Sequence, residues 1–115
     1  MLKLKDILRI ERKASVGELY HNLGTKKEYD RFHRELVELA KFPYSCICCE
    51  FPEHYLEIFP KNSGIPQNKW QYLRISGKYL RKMIYEITEK YNIDIYYLDD
   101  RESSEIFIYN LIKGM

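Results

Sequence analysis

The apolar run at residues 44–50 restricts the possible folds of this chain more than any other feature. It follows Pro43 and reads Tyr-Ser-Cys-Ile-Cys-Cys-Glu, with no alternation between apolar and charged residues. A short continuous apolar run is typical of a strand that is buried on both faces of a sheet. The run therefore predicts a sheet with helices packed on both of its sides.

The rest of the chain alternates between strand and helix patterns. Residues 7–13 and 93–98 have strand patterns. Helices are predicted at residues 16–23, 25–41, 52–59, 76–91 and 101–113, and a loop at residues 60–69. Strands that alternate with helices favour parallel pairing. At 115 residues the chain fits a single α/β domain, residues 1–115, built as a three-layer sandwich.

Several predicted helices have residues at their borders that favour a boundary. Thr25 and Glu28 form a capping box, in which each side chain satisfies a free backbone N–H group of the other residue. Gly24 is suited to the end of the preceding helix, and Ser76 to the start of the helix that follows the loop. These signals fix the borders of the elements around the central strand.

The charge distribution favours the N-terminal third as a binding surface for an anion. The chain has a formal net charge of +2 at pH 7. Residues 1–41 carry ten Lys and Arg side chains against seven Asp and Glu. A mildly basic surface of this kind suits contact with phosphate groups. Ordinary solvated surface charge is the alternative interpretation.

All three cysteines lie inside the apolar run. In a strand Cys46 and Cys48 point to one face and Cys49 to the other, and no second pair is spaced to complete a structural zinc site. We expect buried, reduced and metal-free thiols, as in an intracellular compartment. No long apolar span or signal peptide is present, which predicts a cytoplasmic protein without membrane contact.

Glu11 and Lys13 are the candidate catalytic residues. They are two positions apart on the first strand, so both side chains leave the same face, and we expect them to share a partly open cleft. A glutamate can bind a hard cation such as Mg²⁺ that bridges to a phosphate oxygen. A neighbouring lysine can orient or activate water and stabilise developing negative charge. An exposed ion pair without catalytic function is the alternative.

The segment Ile10-Glu11-Arg12-Lys13 resembles the E-R-K signature of XPF-type structure-specific DNA endonucleases, members of the PD-(D/E)XK superfamily. The resemblance continues in order along nearly the whole chain. It includes Glu18, Leu19, Asn22, Leu23, Arg31, Phe32, Glu35 and Leu36, then the apolar strand that ends in Glu50, and finally the helix, strand and helix of the last third.

The resemblance implies a restriction-endonuclease-like three-layer sandwich with a small mixed sheet. It also implies a metal-dependent endodeoxyribonuclease that cuts branched or otherwise irregular DNA, such as single/double-strand junctions, in DNA repair or recombination. Glu11 would bind Mg²⁺ or Mn²⁺, and Lys13 would assist the attacking water. Similar domains commonly dimerise, so a homodimer or a paired subunit is expected.

Five basic residues are candidates for contact with the DNA backbone, which requires positive charge and little reading of sequence. They are Arg12, Lys26, Lys27, Arg31 and Arg34. Arg12 and Arg31 could instead brace the site. Ordinary charge on a helix surface is the alternative for this group.

Two departures from the XPF-type pattern affect the active site. The pattern has a Gly-Asp strand before E-R-K, which supplies a further metal ligand, and the chain begins too late to contain it. Asp6 lies five residues before Glu11, an odd offset that would direct it to the opposite face of a continuous strand. The position of a later aspartate is taken by Gly17, although Glu18 follows it.

Three explanations account for the missing strand. The sequence is a fragment or a short variant, a second polypeptide supplies the strand, or the site is degenerate. The main alternative to a nuclease is therefore a catalytically silent DNA-binding or partner subunit of the same fold. A small α/β interaction module without a nucleic-acid role is the third possibility.

Overall fold

Residues 3–115 of the chain are described by a computed structural model, in which three strands alternate with helices. The elements are α1 Leu4–Ile7, β1 Leu8–Lys13, α2 Val16–Leu23, α3 Lys26–Leu39, β2 Tyr44–Cys49, α4 Gly77–Lys90, β3 Asp94–Tyr97 and α5 Arg101–Lys113. Two 3-10 helices, Glu53–Leu56 and Gln67–Tyr72, lie between β2 and α4. None of the helices in residues 3–115 is long and apolar enough to cross a membrane.

The three strands form one sheet in the order β1-β2-β3. Leu8 lies opposite Tyr44, Cys46 lies opposite Asp94, and both strand pairs are parallel. The predicted mixed sheet is therefore wrong for the part of the chain that the structure describes. Strands β1 and β2 are each followed by helices that return the chain to the same end of the sheet, and such crossovers produce parallel pairs.

The central strand β2 is buried on both faces, as its apolar sequence predicted. Cys46, Ile47, Cys48 and Cys49 are all fully buried, and the three cysteines are free thiols. The thiols lie on the two faces in the predicted way. Cys49 belongs to the main core, whereas Cys46 and Cys48 face the opposite side with their Sγ atoms 3.9 Å apart.

Helices cover both faces of the sheet. The main core lies under α2, α3 and α4, and its fully buried side chains include Val16, Leu19, Phe32, Leu36, Ile47, Leu80 and Ile84. Helix α5 lies on the other face, where the ring of Phe107 is 4.6 Å from that of Tyr96. A compact α/β arrangement with helices on both sides of a small sheet is thus confirmed.

The connection between β2 and α4 differs from its prediction. The helix expected at residues 52–59 is only the 3-10 helix Glu53–Leu56, and residues 57–60 form turns and a bend. The loop expected at residues 60–69 ends earlier, at the second 3-10 helix. Trp70 fixes this helix to the loop, since its Nε1–H donates to the carbonyl of Ile65 at 2.9 Å.

Candidate functional site

Glu11 and Lys13 project from the same face of β1, as their spacing predicted. Lys13 Nζ is 3.3 Å from Glu11 Oε1, so the two side chains form an ion pair. Their exposure differs, because the Glu11 side chain is 38% exposed and that of Lys13 only 7%. Of the two residues expected to share a partly open cleft, Glu11 is therefore partly open to solvent, whereas Lys13 is buried.

Helix α3 buries Lys13. The ring of Phe32, which belongs to the core, lies 5.1 Å from the Lys13 ammonium group. A buried cation is costly unless it is paired, and both an aromatic face and a carboxylate reduce this cost. Lys13 is thus a fixed positive charge beneath α3, held by Glu11 on one side and by Phe32 on the other.

Arg9 is a candidate site residue that the sequence interpretation missed. It lies two positions before Glu11 on β1, so it shares the face of Glu11 and Lys13, and it is exposed. Its guanidinium carbon is 5.8 Å from the centre of the Phe42 ring. The alternation of side chains along the strand could have identified it. Glu11 is therefore flanked by two cations, and this row of three charges favours an anionic ligand.

The described residues do not form a complete site for Mg²⁺ or Mn²⁺. No group of three or more His, Cys, Asp or Glu residues in residues 3–115 is arranged to hold a metal ion. Asp6 belongs to α1, where its carboxylate accepts the backbone N–H of Lys3 at 3.1 Å. A single carboxylate flanked by cations is a weak ligand for a hard divalent ion. Glu11 therefore needs further carboxylates, or a bound phosphate, before it can hold one.

The structure gives a reason for glycine at position 17. The backbone N–H of Gly17 donates to the carbonyl of Ser63 at 2.8 Å, and a Cβ atom added at Gly17 would lie 2.5 Å from that oxygen. An aspartate would therefore clash with the loop. The adjacent Glu18 stabilises the start of α2, since its carboxylate accepts the N–H of Ala14 at 3.2 Å.

Arg12 lies on the face of the sheet opposite Glu11 and Lys13. Its Nε–H donates to Glu50 at 2.8 Å, and its guanidinium also approaches Glu105 of α5 at 3.8 Å. The hydrogen bond to Glu50 raises the pKa of Arg12. The structure thus places Arg12 as a link between β1, the end of β2 and α5, on the other side of the sheet from the ion pair.

The basic residues of α3 form two groups. Lys27, Arg31 and Arg34 recur at helical spacing on its exposed side, and Arg31 is 3.7 Å from Glu35. Lys26 instead lines a cleft of about 360 Å³ between α3 and α4. The group Lys27, Arg31 and Arg34, which we name the α3 basic stripe, is separated from Lys13 by the helix itself, whose diameter is about 10 Å.

Cys49 lies beneath the same face as Lys13 but is not a candidate nucleophile. Burial raises its pKa, because the thiolate would lose its hydration. A protonated, fully buried thiol has little reactivity. The chemistry of this face is therefore carried by the charged side chains of β1.

No protein-family model, curated protein or solved structure matches this chain. A functional conclusion therefore depends on the geometry of Arg9, Glu11 and Lys13 and on the basic side chains near them. That geometry can bind a phosphodiester through Arg9, the exposed cation of the row, while the buried Lys13 adds a positive charge beside it. It can also keep a carboxylate in a fixed position beside them.

Proposed function

We propose that this chain is a DNA-binding domain of the XPF nuclease type with a restriction-endonuclease-like fold. It cuts branched or irregular DNA with Mg²⁺ or Mn²⁺ only when further carboxylates join Glu11. The observation that carries the proposal is the row Arg9, Glu11 and Lys13 along an edge strand of the sheet. Arg9 binds a phosphate oxygen, and Lys13 supplies a fixed positive charge beside Glu11.

The outer edge of β1 offers a place for the missing carboxylates. The carbonyl of Lys13 accepts the N–H of Glu50 at 2.8 Å, so the backbone N–H and C=O groups of Lys13 point toward β2. Backbone direction alternates along a parallel strand, and the N–H and C=O groups of Ile10 and Arg12 therefore point away from β2. A further strand that paired with these groups would place its side chains beside Glu11. That strand can belong to the same polypeptide or to a partner.

The α3 basic stripe supports contact with the DNA backbone. Its three exposed cations lie on one side of α3, with Asp30 and Glu38 also on that side, and they can contact a phosphate chain without reading bases. Their distance from the ion pair means that backbone contact and cleavage use different parts of the surface. DNA affinity should therefore persist in a chain that does not cut.

A catalytically silent DNA-binding or partner subunit is the second candidate, and two observations favour it. Glu11 is flanked by cations, and the loop at Ser63 excludes an aspartate at position 17. In this form the chain retains its phosphate contacts and pairs with an active subunit. A homodimer would use α5, whose exposed apolar residues include Ile106, Tyr109 and Ile112.

Cleavage assays distinguish the two candidates. A splayed duplex is incubated with the chain, and separately with the chain fused through a flexible linker to a strand that carries Gly-Asp, in Mg²⁺, Mn²⁺ or EDTA. We expect slow or no cutting by the chain alone and metal-dependent cutting by the fusion. Glu11→Ala and Lys13→Met should each remove that gain with little effect on DNA affinity. Strong cutting by the chain alone that survives Glu11→Ala would place the active site elsewhere.

A further inference from the structure

The edge of the sheet opposite β1 carries a groove between β3 and α4. It is lined by Ile95 and Tyr97 of β3, by Lys78, Arg81, Lys82 and Tyr85 of α4, and by Glu53, whose carboxylate is paired with Arg81. Its volume is about 650 Å³, and the Tyr85 side chain is among the exposed aromatic groups, at 64%. We name this feature the β3 groove. It has no part in the proposed phosphate contacts, which lie at the other edge of the sheet.

The backbone of β3 leaves hydrogen-bonding groups free along this groove. The N–H of Leu98 donates to the carbonyl of Cys49 at 2.8 Å, so the backbone N–H and C=O groups of Leu98 and Tyr96 point toward β2. Because backbone direction alternates, the N–H and C=O groups of Ile95 and Tyr97 point away from the sheet. Within residues 3–115 these groups form no backbone hydrogen bond to a turn, loop or cap. A free edge of this kind is a template for another strand.

The side chains along the groove differ at its two ends. Tyr85 and Ile95 are apolar and also line a smaller cleft that continues toward Asn92. Lys78 is exposed, and it forms no ion pair in the part of the chain that the structure describes. Lys82 is only 4.0 Å from Glu86, a loose pair. One end of the groove is thus suited to an apolar group and the other to a carboxylate.

Arg81 makes the groove a fixed structure. Its guanidinium donates to Glu53 at 2.6 Å and to Glu57 at 2.8 Å, which joins α4 to the segment that follows β2. These hydrogen bonds raise the pKa of Arg81, and its positive charge is neutralised by the two carboxylates. The cations that remain for a ligand are therefore those of Lys78 and Lys82.

We propose that the β3 groove binds an extended, acidic peptide segment of another protein, which adds a strand to β3. Residues two apart on that strand point to the same side, so one apolar side chain would contact Ile95 and Tyr85 while an acidic one approached Lys78. Main-chain hydrogen bonds to Ile95 and Tyr97 would provide affinity, and the two side chains would provide selectivity. The partner motif is thus an apolar residue and an acidic residue separated by one position.

Other occupants fit the groove less well. A second copy of the chain could pair through its own β3. Its Ile95 and Tyr97 would then lie on the groove side and its Asp94 on the opposite side, so that strand would bring no carboxylate to Lys78. Single-stranded DNA could contact the two lysines, but its backbone has no alternating donors and acceptors for the edge of a strand. An acidic peptide uses both the edge and the charges.

Peptide selection followed by amide exchange tests the proposal. The full chain is used to select from a library of random 12-residue peptides, and the enriched peptides are expected to share the apolar and acidic spacing. Exchange is then followed by NMR. In the free chain the amides of Tyr96 and Leu98 should exchange slowly and those of Ile95 and Tyr97 quickly. A selected peptide should slow Ile95 and Tyr97 at least tenfold.

Two substitutions separate groove binding from other effects. Lys78→Glu should weaken binding of a selected peptide about tenfold, whereas Lys90→Glu, at the far end of the same helix, should leave it unchanged. Ile95→Pro removes an outward N–H but no hydrogen bond to β2, so it should preserve the fold and abolish binding. Arg9→Gln should not alter peptide binding, which separates this proposal from the proposed DNA function.

Four results would overturn the proposal. They are the absence of any enriched motif, binding without protection of Ile95 and Tyr97, and protection of these amides by an oligothymidylate in place of the peptide. The fourth is protection that rises with chain concentration in the absence of peptide, which would identify a second copy as the occupant.

Discussion

The unequal exposure of Glu11 and Lys13 is the residue-scale feature on which the account depends. Their shared face could be predicted, because side chains two apart on a strand point the same way. The burial of Lys13 could not, because it results from the docking of Phe32, which is 19 positions later in the chain, onto β1. Only the packed structure shows that the Lys13 ammonium group is shielded from solvent by Phe32 and paired with Glu11.

The two members of the ion pair should differ in their effect on stability. Glu11→Gln leaves the buried ammonium of Lys13 without a counter-charge, and we expect it to lower the free energy of unfolding by about 1–2 kcal/mol. This loss is smaller than that for a fully buried ion pair, because Glu11 is partly exposed. Lys13→Met replaces the charge with an apolar side chain of similar length beside Phe32 and should be nearly neutral. Urea denaturation measures both, and a greater loss from Lys13→Met would show that the pair is organised differently.

Gly17 provides a second test at this scale. Gly17→Asp introduces the aspartate of the XPF-type pattern but forces its side chain against the carbonyl of Ser63. We therefore expect the free energy of unfolding to fall by about 2 kcal/mol or more. Gly114→Asp is the matched control, because the space around Gly114 is open enough for a Cβ atom at ordinary contact distances. Equal thermal stability of the two variants would contradict the proposed close approach of the loop.

At the scale of elements, the borders with local signals were predicted well. Thr25 and Ser76, the two predicted caps, each accept a backbone N–H from the residue three positions later, at the starts of α3 and α4. Ser15 and Asp100, which the sequence interpretation missed as caps, do the same at the starts of α2 and α5. Helix α5 occupies the residues that the sequence predicted. The second 3-10 helix was missed, and the first is shorter than the helix expected at residues 52–59. The second is held by the hydrogen bond from Trp70 to the carbonyl of Ile65, which leaves no periodic pattern in the sequence.

Asp100 gives α5 a predictable dependence on pH. Its carboxylate accepts the N–H of Ser103 at 2.8 Å, and this hydrogen bond to the charged form lowers the pKa of Asp100. A lowered pKa means that the cap stabilises α5 fully above the ordinary carboxyl pKa of about 3.9 and loses this effect as the pH falls through the lowered value.

The substitution Asp100→Asn tests this prediction. Asparagine caps helices about as well as aspartate but does not titrate, so the acidic loss of α5 order should be smaller in the variant. Carbon chemical shifts of α5 across the acidic range report helix order directly. The same pH dependence in both proteins would exclude Asp100 as its source.

At the scale of the whole molecule, the three-stranded sheet has a different function proposed for each of its edges. The outer edge of β1 carries the row of charges for phosphate, and the outer edge of β3 carries a groove suited to a peptide. The α/β arrangement could be predicted from the alternating patterns. The parallel pairing could also be predicted, from the alternation of strands and helices, whereas the mixed sheet implied by the XPF resemblance is wrong for the described residues. The groove depends on how distant segments pack, which a single sequence does not specify.

The central claim is that the chain binds DNA through Arg9 of β1 and the α3 basic stripe, and salt-dependent affinity tests it most directly. Fluorescence anisotropy with a labelled splayed duplex is measured over a series of KCl concentrations. We predict that affinity falls steeply as the KCl concentration rises. Lys27→Gln, Arg31→Gln and Arg34→Gln together should reduce the slope of log affinity against log salt concentration by about 0.9 for each phosphate that is no longer neutralised. Arg9→Gln should reduce this slope further. Lys113→Gln, an exposed control on α5, should change nothing. Absence of binding, or binding whose salt dependence is the same in all of these variants, would contradict the account.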